Sequence, residues 1–85
     1  MNWLNAALVD ELLHYVPPRV GVPLVWLAER LDLSPRSCAE LVREMERRGL
    51  VSARRAHYDR RCIAVVLTPA GAARVERGRR LDLAA

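Results

Sequence analysis

Residues 54–61 read RRAHYDRR, so Arg54, Arg55, Arg60 and Arg61 crowd four guanidinium groups and the His57 imidazole around one carboxylate, Asp59. Cations packed this closely repel one another unless they share an anion. A guanidinium is permanently charged and presents a planar fork of donors, which matches phosphate oxygens and the O6/N7 edge of guanine. A second set lies upstream. If residues 35–48 are helical, then Arg36, Ser37, Glu40, Arg43, Glu44 and Arg47 lie opposite an apolar stripe. Arg36, Ser37 and Glu40 fall in the first turn and a half, where a helix reaches base edges. Arginine reads guanine, and a glutamate carboxylate accepts from the cytosine N4 amino group. Arg43 and Arg47 repel one turn apart, and a phosphate would relieve this. The competing account of the helix is a solvated face with Arg36–Glu40 and Glu44–Arg48 pairs, each contributing about 0.2–0.5 kcal/mol. The competing account of RRAHYDRR is a hairpin edge protected by charge, which gives no reason for Arg60 and Arg61 to follow an acid. Both sets point to nucleic acid.

The whole-chain balance agrees. All 14 basic residues are arginine, against 10 acidic ones, for a net charge of +4 and a pI of about 10.0. Small basic domains most often meet an anionic partner. At 85 residues one domain is expected, and 52% hydrophobic residues argue against disorder. Phe is absent, so Leu, Val and Ala must fill the core. Cys38 and Cys62 are far apart, each in an apolar pattern, which suits neither a disulfide framework nor zinc. Packing is favoured over redox sensing for both. His14 has only Asp10 and Glu11 at helical reach, a weak metal set. No phosphate loop, metal cluster or nucleophile–base pair appears, so neither an enzyme nor a cofactor is expected. A signal peptide and an apolar run of roughly 20 residues are both missing, which points to a cytoplasmic protein with reduced thiols.

These groups need elements to hold them. Residues 2–16 have helical apolar spacing and stop at Pro17-Pro18. Residues 17–23 read as a loop. Pro23 suits the first turn of a helix over 24–31, with Leu24, Leu27, Ala28 and Leu31 inward. Ser34 as N-cap and Pro35 at N1 start a third helix over 35–48. Cys38, Leu41, Val42 and Met45 form its buried stripe, and Gly49 ends it. Two short apolar runs within 50–67 flank the arginine segment as a β-hairpin. Thr68 caps a last helix over 69–80, with fraying expected after about residue 78 because Gly78 weakens it. The order helix, helix, helix, hairpin, helix is mainly α with a small β-hairpin, a winged helix-turn-helix in a single domain over 1–85.

The run LSPRSCAELVREMERRGLVSARRAHYDRRCIAVVLTPAG resembles the DNA-binding core of the MarR-type winged-helix transcriptional regulators. The resemblance rests on MERRGLV at the helix end, on Asp59-Arg60-Arg61, and on Leu67-Thr68-Pro69-Ala70-Gly71, and covers about residues 24–75. It implies a recognition helix at 35–48 in the major groove and a wing at 54–62 on the backbone and adjacent minor groove of double-stranded DNA. It also implies that Arg61 enters the minor groove while Asp59 orients it. Typical members are longer and dimerise through extended terminal helices. Here about 20 residues precede the second helix and about 15 follow Gly71. A reduced dimer module is therefore expected, and a small-molecule effector is not. Glu40 replaces a polar or basic residue of the family pattern.

The first helix is apolar over a wide arc, and a homodimer through Trp3, Leu4, Leu8 and Leu12 is expected. The function that follows is sequence-specific transcription regulation, with repression by promoter occlusion. The alternatives are a plasmid or phage replication, partition or architectural DNA-binding protein, or a winged helix that binds protein and not DNA.

Overall fold

The computed structural model describes residues 6–84, with the side chains of 82–84 left aside. Its elements are α1 (Ala6–Tyr15), β1 (Val22–Pro23), α2 (Leu24–Leu31), α3 (Pro35–Arg47), β2 (Val51–Arg55), β3 (Ile63–Leu67) and α4 (Pro69–Ala84). Antiparallel pairing in the order β1-β3-β2 gives a three-stranded sheet, with Ala53 and Val22 both opposite Val65. Val65 is fully buried at its centre.

Local chemistry sets the bounds of α3. Ser34 Oγ accepts from the Ser37 N–H at 3.1 Å, and Pro35 fills the first turn. At the other end Gly49 takes φ 74°, a left-handed turn that glycine adopts without steric cost. The Gly49 N–H then donates to the Glu46 carbonyl and the Leu50 N–H to the Met45 carbonyl, both at 2.9 Å. These two bonds satisfy carbonyls that the helix end would leave bare. Cys38, Leu41, Val42 and Met45 all face inward. They meet Leu27, Ala28 and Leu31 of α2 and Val9, Leu12, Leu13 and Val16 from the α1 side, in a core with no buried polar residue among those described.

Three expectations change. Residues 17–23 are not wholly loop, because Val22 and Pro23 pair with β3. Proline is tolerated there since β1 is an edge strand and forgoes one donor without cost to the ladder. Pro23 consequently stands at the N-cap of α2, not inside its first turn. Finally, α4 does not fray near Gly78 but runs to Ala84. Gly78 carries a penalty of only about 1 kcal/mol, and a Glu76–Arg80 ion pair at 3.6 Å spans it.

The motif Leu67-Thr68-Pro69-Ala70-Gly71 has a structural explanation. Thr68 Oγ1 accepts from the Gly71 N–H at 3.0 Å, capping α4, and donates to the Gly49 carbonyl at 2.6 Å. A Cβ at Gly71 would overlap the carbonyl oxygen of Leu50, so only glycine lets α4 start this close to β2.

Candidate nucleic-acid interface

The hairpin loop over 56–62 is closed by backbone bonds from Ala56 N–H to the Cys62 carbonyl at 2.9 Å and from Cys62 N–H to the Asp59 carbonyl at 3.0 Å. Ala56 is buried beneath the loop, whereas Arg54, Arg55, His57, Arg60 and Arg61 are exposed. Arg55 Nη1 donates to the Arg60 carbonyl at 2.8 Å, bracing the loop across its neck. Cys62 precedes β3 and does not begin it.

Asp59 does more than neutralise charge. Its Oδ1 accepts from the Arg61 backbone N–H at 3.0 Å and from Arg61 Nε at 3.1 Å, and its Oδ2 accepts from Arg61 Nη2 at 3.2 Å. The carboxylate thus grips its neighbour's guanidinium through two oxygens, a geometry that fixes direction as well as distance. The Arg61 side chain remains 90% exposed while so held. The Arg61 side chain first, and then its backbone N–H, keep the Asp59 carboxyl below its ordinary 3.8. In return, the Asp59 hydrogen bond raises the pKa of Arg61. The hairpin presents a cation of fixed charge in a fixed direction.

On α3, Arg36, Arg43 and Arg47 are exposed, while Ser37 and Glu40 are half-buried. Ser37 is engaged in the cap, where its Oγ accepts from Ser34 Oγ at 3.0 Å. The helix divides along its length. Glu44 pairs with Arg47 at 2.7 Å and with Arg48 at 3.1 Å. Among the described residues Arg36, Glu40 and Arg43 form no ion pair. The solvated-face account therefore has its Glu44–Arg48 pair but lacks Arg36–Glu40, and the bare ionic groups lie in the first two and a half turns. Arg43 also lines a groove of about 350 Å³ with Arg54 and Arg55, so the structure brings helix and hairpin arginines together.

Ile63 and Glu46 also line this groove and were not among the residues expected at the interface. Ile63 opens β3, exposed on the face that buries Val65 and Leu67 farther along. That alternation was the available signal. Glu46 accepts from the Ala53 N–H at 3.1 Å and covers part of the β2 edge, a bond across the α3–β2 turn with no sequence signature.

This architecture occurs in known proteins. The MepR–DNA complex of S. aureus superposes with a TM-score of 0.81 over 86% of this chain and 60% of that one, at 23% identity. The transcriptional regulator BldR from Sulfolobus solfataricus gives 0.78 over 87% and 52%, at 26% identity. The transcriptional repressor CouR, bound to a 23-mer DNA duplex, gives 0.77 over 85% and 51%, at 25% identity.

The chain has the fold of the MarR-type winged-helix regulators.

Within that MarR-type frame, α2 and α3 form the helix-turn-helix and the β2–β3 hairpin is the wing. The chain spans roughly half to three-fifths of the length of these structures. No family model and no curated protein sequence matches it.

The apolar arc of the first helix needs correction. Leu12 is 0% exposed and belongs to the protomer's own core, so it offers no surface to a second copy. The reason is that α1 packs against both α2 and α4, which buries more than one stripe. Leu8 packs half-buried against the same core, and Trp3 and Leu4 lie outside the described residues. His14 is exposed and meets Tyr15 edge-on, with ring centroids 6.4 Å apart.

Proposed function

We propose that the chain is a sequence-specific regulator of transcription that binds double-stranded DNA, with α3 in the major groove and the wing on the flanking minor groove. The observation that carries this reading is the Asp59–Arg61 grip. A surface arginine held by a bidentate carboxylate, yet 90% exposed, is preorganised for an anion outside the protein. The unpaired cations of α3 and the arginine-lined groove beside it supply the rest of a phosphate-facing surface. Several structures of the same fold are DNA complexes by their own descriptions. Repression by occluding a promoter follows from such binding, with a homodimer reading half-sites about 10 bp apart. No described helix is long and apolar enough to cross a membrane, and a cytoplasmic location suits a DNA-binding role.

The test is duplex binding over a salt series. Wild-type affinity should fall steeply with salt, and Arg61→Ala should lower both affinity and slope, the slope by about 0.9 per lost phosphate contact. An Arg61→Ala variant that changes neither would remove the wing from the interface.

A further inference from the structure

A carboxylate is out of place on a surface facing phosphates. Glu40 lies in the second turn of α3, on the side away from the Leu41 and Met45 stripe. Among the described residues its side chain makes no hydrogen bond and no ion pair. The neighbouring acids differ, since Glu44 is tied to Arg47 and Arg48, and Glu46 to the Ala53 N–H. Arg36, one turn before Glu40, is an available partner and does not pair with it.

We infer that Glu40 is a specificity-determining residue that selects cytosine in the major groove, about two base pairs from a guanine taken by Arg36. The inference rests on the duplex-DNA reading above. An ionised carboxylate only accepts hydrogen bonds. The major groove offers it two donors, cytosine N4 and adenine N6. At adenine the adjacent N7 is another acceptor and opposes the second carboxylate oxygen, so cytosine is preferred. Phosphate repels the group outright. Glu40 thus lowers affinity for DNA in general and restores it only at the right base. Residues four apart on a helix are separated by about 6 Å along its axis, close to two base-pair steps of roughly 3.4 Å.

Selection from random duplexes with wild type, Glu40→Gln, Glu40→Ala and Arg36→Ala tests this. The Gln variant is isosteric, and matching thermal melts check that each variant folds. Wild-type sites should carry a cytosine favoured on the order of 10-fold. Glu40→Gln should shift that position to adenine, whose N6/N7 edge a carboxamide reads, and should bind random duplex more tightly. Glu40→Ala should be indifferent there, and Arg36→Ala should relax a guanine about two pairs away. The same motif from wild type and both Glu40 variants, or looser random-duplex binding by Glu40→Gln, overturns the inference. Wild type that binds duplex without any motif overturns it and leaves the DNA reading standing. Wild type that binds no duplex overturns both.

Discussion

Asp59→Ala separates orientation from charge, because the two predict opposite signs. On charge alone the variant should bind DNA better. With Arg61 bridging the carboxylate at 3.1 Å and a phosphate about 3 Å beyond it, the two anions lie roughly 6 Å apart. Their repulsion in water is then worth about a factor of 3 in affinity, and less at physiological salt. On orientation the variant should bind worse. It frees an arginine that wild type holds through Nε and Nη2, and reordering that side chain on DNA weakens binding by about 10-fold. The net expectation is about a 3-fold loss per wing, or about 10-fold for a dimer whose two wings act independently. Arg61 keeps its charge, so the salt slope should stay at the wild-type value. Fluorescence anisotropy of a labelled duplex between 50 and 200 mM salt, a range on the order of that used for such slopes, reads both quantities. Asp59→Ala binding as tightly as wild type, or more tightly, refutes the orienting role. The effect should also be flat with pH over the neutral range. The folded-state pKa of Asp59 is lowered from 3.8, so the grip is fully present above 3.8 and is lost only as pH falls through the lower folded value.

Gly71→Ala should destabilise the fold by about 2–4 kcal/mol, because the new methyl meets the Leu50 carbonyl oxygen and not a movable side chain. The denaturant midpoint should drop with little change in its slope. Thr68→Ala removes the α4 cap and the bond to Gly49, costing about 1–2 kcal/mol, and Thr68→Ser should recover most of it in the same titration. Burial pushes the Cys38 thiol up to about 11, whereas Cys62 is half-exposed. Iodoacetamide at pH 8 should add one group to the native protein, at Cys62, by intact mass. Prompt labelling of Cys38 would show that its packing is looser than the structure has it.

Much of the fold was legible because its signals are local. Ser34-Pro35, the stripe Cys38, Leu41, Val42 and Met45, and Gly49 each act within a few residues, and α3 follows from them. β1 was not legible because its order comes from β3, and two residues including a proline carry no strand pattern. The full length of α4 is not legible from Gly78, because the Glu76–Arg80 ion pair across it offsets part of the glycine's cost. For the interface, residue types and clustering were plain in RRAHYDRR, and the exposure of the arginines accords with them. The Asp59 role came from resemblance to a family, since short-range charge patterns do not reveal which carboxylate oxygen meets which nitrogen. Leu12 was misplaced because the width of an apolar arc does not say whether a second protomer or a second helix covers it. Here α4 and α2 both do.

The two elements proposed to meet DNA are joined through one residue, and this bears on how specificity can arise. Leu50 follows the turn that ends α3, and its N–H is bonded to Met45 of that helix. Its carbonyl accepts from the Thr68 N–H at 3.1 Å, at the end of β3. The same carbonyl is the oxygen that Gly71 must clear at the start of α4. Thr68 Oγ1 adds a bond to the Gly49 carbonyl one residue earlier. Four chain segments therefore meet within a few ångströms, with nearly every backbone group there bonded. A tilt of α3 relative to the wing would break several of these bonds together, so the angle between them is set by covalent and hydrogen-bonded geometry and not by side-chain packing alone. Fixed spacing between reader and wing favours duplexes whose groove widths match it, so part of the discrimination should come from DNA shape at positions no side chain touches. The hydrogen-bonded junction holds α3, which carries Arg36 and Glu40, at a set angle to the hairpin that carries Arg61.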